Sequence, residues 1–187
     1  GFLILDVAGH GIASAFIAAM AKMSVYHHAF AEASPGKVLS LVNRDLLSNI
    51  KTDHFVTCFY GIYDTEKRTL HYARGSHPPA FLLRKNSETL SLDADGFFLG
   101  VDEESVYEES KVDVGEGDRL FLYTDGIYEW ELPSKKVFGQ KNFNRLVATV
   151  GGKNIHEHVS DVLSEIIDRT DSADLDDDIT LIGIQFH

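Results

Sequence analysis

The apolar run FLILDV at residues 2–7, interrupted by a single acid, predicts a buried strand that enters the glycine-flanked turn Gly9-His10-Gly11. From Ala13 to about Phe30 the chain is rich in Ala and Met with apolar residues on nearly every side, which predicts a helix packed closely between other layers. Ser34-Pro35 supplies an N-cap and a first-turn proline for a second helix ending near Asn49, with Val38, Leu41, Val42 and Leu46 as its core stripe. Between Phe55 and Leu122 the rhythm shortens to β-rich runs, FVTCFYGIYD, TLHYARG, AFLLRK, TLSLD, VYEESKVDV and RLFLYTDG, separated by turn segments such as DTEKRT, KNSE and GEGD. Connections this short predict antiparallel hairpins and leave no room for crossover helices. Two more helices follow, the second over Asn154–Arg169 with Ile155, Val159, Val162, Leu163, Ile166 and Ile167 on one face, and the chain closes in the strand ITLIGIQF. The class is α+β with a mainly antiparallel sheet core, in one domain over residues 1–187.

Composition narrows what such a domain does. Its 17 basic against 29 acidic residues give a formal net charge of -12, which repels nucleic-acid phosphates. An acidic protein still handles phosphate where its carboxylates hold divalent cations, because the ions reverse the local field. The single cysteine, Cys58, lies within a strand and reads as a buried thiol, which excludes an internal disulfide and suits the cytoplasm. The most apolar stretch, Ala13 to Met23, is too short for a bilayer and carries Lys22, so no membrane insertion is expected. The chain begins inside an apolar run without Met, which suggests a fragment of a longer protein.

Three acidic positions share one context, the junction of an apolar strand with a turn: Asp6 after FLIL, Asp125 after LFLYT, and the Asp176-Asp177-Asp178 cluster before ITLIGI. A lone aspartate there is ordinarily a solvated turn residue. Three with the same placement point to a cation site, since carboxylates gathered at neighbouring strand ends repel one another unless cations lie between them. Hard oxygen donors select Mg²⁺ or Mn²⁺ over zinc.

DVAGHGIASAFIAAM, GDRLFLYTDGIYEW and DDDITLIGI, in this order, resemble the three signature segments of the type 2C-like (PPM) metal-dependent serine/threonine protein phosphatases, in particular their SpoIIE/RsbU branch. ARGSHPPAFLLR resembles that branch's glycine-histidine-proline hairpin, and VFGQKNFNRLV the helix after its TDG turn. The resemblance implies two antiparallel sheets sandwiched between helices (αββα), with two metals at one edge between the sheets. It implies that Asp6 bridges the metals, that the Val7 carbonyl completes one coordination sphere, and that Asp125 and Asp177, ahead of its neighbour Asp178, supply further ligands. His10 would act as general acid or as a supporting group behind the ligands. The implied substrate is a phosphoserine or phosphothreonine regulatory protein of the anti-sigma-factor antagonist type, and the implied partner an upstream sensor or receiver domain in the same chain.

One departure stands out. Relatives carry a Gly-Gly-Asp segment on strands ahead of the Asp6 strand, and its aspartate joins the metal site; this chain starts after that point. The expectation is a domain missing its first strands, weak in metal, with open strand edges that favour a homodimer. A phosphatase-like module that docks partners without catalysis is the alternative, favoured by the absent first motif and opposed by Asp6, Asp125 and Asp177. A metal-dependent nucleotide phosphodiesterase has no glycine-rich phosphate loop or basic pocket to support it. Among the remaining residues, His27 and His28 are expected to pack within their helix, His77 to belong to a hairpin, Trp130 to pack against a helix, and Gly75, Gly96 and Gly100 to serve the backbone.

Overall fold

The computed structural model describes residues 1–50, 54–132, 135–170 and 177–187. The chain divides into two compact units, Gly1–Pro79 with Asp93–Val114, and Ala80–Leu92 with Gly115–His187. The first holds strands β1 (Phe2–Val7), β2 (Val56–Asp64), β3 (Thr69–Gly75) and β6 (Ser110–Asp113) in the order β1-β2-β3-β6, all antiparallel, with helices α1 (Ile12–Ala29) and α2 (Pro35–Asn49). The second holds β4 (Ala80–Leu83), β5 (Thr89–Leu92), β7 (Arg119–Tyr123) and β8 (Leu181–Gln185) in the order β5-β4-β7-β8, again antiparallel, with helices α3 (Gln140–Thr149) and α4 (Ile155–Arg169). Two antiparallel sheets and four helices are thus what the α+β reading called for. Among the described residues no helix is long and apolar enough to cross a membrane.

Local chemistry explains the boundaries. The Ser34 hydroxyl accepts from the Lys37 N–H and Pro35 occupies the first turn of α2, while the Asn154 side chain caps α4 by accepting from Glu157. β6 is shorter than its apolar run because the chain before it is engaged elsewhere, as where the Glu108 N–H donates to the Asp95 carbonyl. The β3–β4 connection is not a hairpin: β3 belongs to one sheet and β4 to the other, so Gly75 to Ala80 is a crossing between sheets. His77 sits buried in that crossing, its Nδ1 2.9 Å from the Thr57 hydroxyl.

In the first unit the buried faces of α1 (Ile17, Ala21, Val25) and α2 (Val38, Leu39, Val42, Leu46) close over β1–β3. Leu39, not Leu41, continues the α2 stripe, being three and seven residues before Val42 and Leu46 on a helical face. Cys58 is buried, and burial pushes its thiol well above the ordinary range, as expected of a structural residue. The two helices are clasped at Asp45, whose Oδ2 accepts from the Ser24 hydroxyl at 2.6 Å and lies 2.8 Å from His28 Nε2. His28 is therefore a polar bridge and His27 is exposed, so neither is the packing residue expected from the apolar helix around them.

The second unit packs an aromatic core. Phe143 stands edge-on to Tyr123 with ring centres 4.6 Å apart, and Trp130 stacks on Phe138 at 4.6 Å. Trp130 also donates its ring N–H to the Ile127 carbonyl at 2.9 Å, which fixes it as a core residue. On α4 the apolar face is narrower than its sequence suggests, because Ile167 lies 57% exposed while His158 takes a fully buried place. His158 survives there because Nδ1 accepts from Arg119 at 2.8 Å and Nε2 donates to the Val147 carbonyl at 2.8 Å.

Candidate functional site

Asp6 is the penultimate residue of β1, opposite Thr57 of β2. Its Oδ1 accepts from the N–H of Val7 at 2.8 Å, which orients the carboxylate at the strand end. The following turn is built on Gly9 and Gly11, whose φ angles of 92° and 89° are ones that glycine adopts without strain. His10 stands exposed between them, just ahead of α1. Ser14, in the first turn of α1, is buried with no partner for its hydroxyl among the described residues.

The remaining candidate ligands lie in the second unit, where one side chain gathers them. Thr124, buried at the end of β7, accepts from the Thr180 N–H at 3.0 Å and donates to the Asp178 carbonyl at 3.3 Å, while its own N–H donates to the Thr180 carbonyl at 3.2 Å. These bonds pin the approach to β8 against the exit of β7, and so set Asp177 beside Asp125. The contact is tight at Gly126: a Cβ there would lie 2.6 Å from the Asp178 carbonyl oxygen and 3.3 Å from the Asp177 Cβ. Within the TDG triplet the threonine is thus the clamp and the glycine the point of close approach. Asp125 opens a single 3₁₀ turn, Asp125–Ile127, and its carbonyl accepts from the N–H groups of Tyr128 and Glu129, both at 2.9 Å. Asp177 repeats the Asp6 arrangement, its Oδ1 accepting from the next N–H, that of Asp178, at 2.8 Å. Asp176 lies outside the described residues.

Glu129 belongs to the same charged group, although the sequence pattern of strand-end acids did not single it out. Partial desolvation raises its pKa, and the charges of Asp125 and Asp177 raise it further. Burial, then the charges of Asp125 and Glu129, push the Tyr128 phenol up as well. An acid four residues beyond the TDG aspartate was the available signal. Among the described residues no basic side chain pairs with Asp125, Glu129 or Asp177. Their donor chemistry, carboxylate oxygen in mutual repulsion, fits a hard divalent cation in kind. Among the described residues no three His, Cys, Asp or Glu side chains form a group able to hold a metal unaided.

Two antiparallel sheets, each carrying two helices, with carboxylates at the strand exits, define the class: the fold is that of the PP2C phosphatase domains. The SiaA PP2C domain of Pseudomonas aeruginosa superimposes with a TM-score of 0.83 at 19% identity, over 99% of this chain and 75% of that one. RsbX, solved in complex with magnesium, superimposes with a TM-score of 0.65 at 17% identity, over 97% of this chain and 78% of that one. In sequence, the phosphoserine phosphatase RsbU of Bacillus subtilis is 27% identical over 183 residues, 97% of this chain and 54% of RsbU. The chain therefore spans about half the length of that relative. Residues 1–187 match the profile of the family described as Stage II sporulation protein E (SpoIIE), and the chain belongs to that family.

Proposed function

We propose that this chain is the catalytic part of a metal-dependent serine/threonine protein phosphatase of bacterial signalling, forming one phosphatase domain within a longer cytoplasmic polypeptide. Its substrate is a phosphorylated regulatory protein of the anti-sigma-factor antagonist type, and a sensor or receiver domain in the same polypeptide controls it, with a homodimer as the working assembly. The observation that carries this reading is the Thr124 clamp, which holds Asp125 beside Asp177 in a cluster of unpaired carboxylates, in a chain of the SpoIIE family.

Asp6, the Val7 carbonyl, Asp125 and Asp177, with Asp178 alongside, would hold Mn²⁺ or Mg²⁺. Ions so bound supply an activated water and offset charge on the phosphoryl oxygens. The protein's share is positional. The N–H groups of Val7 and Asp178 each fix one carboxylate oxygen of the preceding aspartate. Glu129 keeps a proton to higher pH than an ordinary glutamate, and His10, exposed in its glycine turn, would protonate a leaving serine oxygen or support a neighbouring group.

The test is hydrolysis of p-nitrophenyl phosphate by the full-length protein in Mn²⁺, with and without EDTA. Asp125→Asn and Asp177→Asn should each lower turnover by about 10²-fold to 10³-fold, the loss typical of removing a group that stabilises transition-state charge. Full activity in both variants, or in EDTA, refutes the assignment. A second reading, a docking module without catalysis, draws on the absence of a three-ligand group among the described residues. It predicts phosphoprotein binding undiminished by EDTA and no turnover.

A further inference from the structure

The second unit holds a basic pocket, although the chain as a whole has a net charge of -12. The pocket has a volume of about 260 Å³, its polar wall is formed by Arg84, Lys85, Ser87, Arg119 and His158, and no acidic side chain lines it. These residues come from the β4–β5 turn, the start of β7 and helix α4, so no motif in the sequence announces them. Arg119 opens β7, whereas Asp125 lies beyond its exit; at about 3.3 Å per residue the two are about 20 Å apart. We propose that this pocket binds a phosphate dianion, free or as a monoester, at a place remote from the strand-end carboxylates.

Arg119 supplies the first charge. Its Nε donates to the Gln185 side chain at 3.2 Å, its Nη1 to the Gly152 carbonyl at 3.1 Å and to His158 Nδ1 at 2.8 Å, and its Nη2 to the Lys153 carbonyl at 3.3 Å. These four bonds fix the guanidinium plane and leave one of its five N–H donors for an incoming acceptor. All four acceptors are neutral, since burial keeps His158 from charging, and Arg119 forms no ion pair among the described residues. Lys85 supplies the second charge. Its stem lies against Gly117, where a Cβ would come within 3.0 Å of Lys85 Cδ, and it too forms no ion pair among the described residues. The nearby acids are engaged elsewhere: Asp118 holds Arg84 and the N–H groups of Gly115 and Lys85, and Glu157 accepts from the Lys153 N–H at 2.9 Å. Arg84 is thereby neutralised, and Lys85 with Arg119 leaves two positive charges, the match of a phosphate dianion. A carboxylate ligand would leave one of them uncompensated, and a nucleic acid would bring many further phosphates against an acidic protein.

The site goes beyond the phosphatase reading and does not rest on it, because it is read by equilibrium binding in EDTA, without metal and without turnover. Dialysis of radiolabelled inorganic phosphate against the full-length protein at fixed ionic strength should show saturable binding. Lys85→Gln and Arg119→Gln should each weaken it by about 10-fold to 100-fold, the range for a hydrogen bond to a charged group. Arg119 also ties β7 to the α3–α4 connection, so Lys85→Gln is the stricter variant: Lys85 is exposed, and its replacement should leave the thermal unfolding midpoint unchanged. Lys111→Gln, at an exposed position of β6 in the first unit, should leave phosphate binding unchanged. A phosphoserine peptide that displaces the label assigns the pocket to a phosphorylated chain, and one that does not assigns it to free phosphate. Absence of saturable binding, parental affinity in Lys85→Gln, or equal weakening by Lys111→Gln overturns the proposal.

Discussion

The two units answer the same physical problem differently. In the second, α3 and α4 bury Phe143, Leu146, Val147, Val162 and Ile166, the core is aromatic, and polar groups that enter it are paired. Asp118 is held by Arg84 at 2.6 Å and by the N–H groups of Gly115 and Lys85, while His158 sits between Arg119 and the Val147 carbonyl. In the first, α1 is apolar on both sides but buries only one, and β1 is a sheet edge. A helix without a polar face is therefore not by itself evidence of complete burial. In a satisfied unit the buried polar groups carry large mutational penalties, whereas in a unit with uncovered apolar surface the largest side chains on view carry almost none.

The contrast can be broken first at Asp118. Asp118→Ala removes the buried carboxylate that accepts from Arg84 and from the N–H groups of Gly115 and Lys85, and should destabilise the fold by about 3–5 kcal/mol, read from urea denaturation. Phe143→Ala should cost a similar ~3–5 kcal/mol, as a fully buried ring is lost from a packed aromatic cluster. Gly126→Ala should be milder, about 1–3 kcal/mol, yet impair turnover out of proportion, because its Cβ forces the Asp178 carbonyl away from the Thr124 clamp.

A pH series sharpens the comparison further. His158 has its pKa lowered by burial and then by the Arg119 charge, so the unfolded chain binds the proton more readily. Its contribution is complete above the unfolded value near 6.5 and is lost as pH falls through the lower folded value. At Asp118 burial opposes ionisation, but the hydrogen bonds from Arg84, Gly115 and Lys85 prevail and lower the pKa. Its contribution is complete above about 3.8 and is lost as pH falls through a still lower value. The urea midpoint should decline in these two steps, and His158→Asn should abolish the first. The smallest effect belongs to the first unit: Phe16→Ala should change monomer stability by no more than about 0.5 kcal/mol, despite removing a whole ring.

Much of this architecture was written in the order of apolar and polar residues. Period-two runs and turn segments gave strands β2 to β5 and β7 within a few residues, and Ser34-Pro35 and Asn154 marked two helix starts, because caps and alternation act over a few neighbouring residues. The acids at Asp6, Asp125 and Asp177 were legible as strand-end positions for the same reason. Tertiary structure alone decided the rest. It assigned β3 and β4 to different sheets although four residues separate them, it put Leu39 in place of Leu41 on the α2 stripe, and it buried His158 while leaving Ile167 in solvent. It also brought Glu129 into the field of Asp125 and Asp177, and it turned the aromatic residues of α1 outward. These outcomes depend on which surfaces meet across long stretches of chain, and burial and charge coupling follow distance in space rather than separation in sequence.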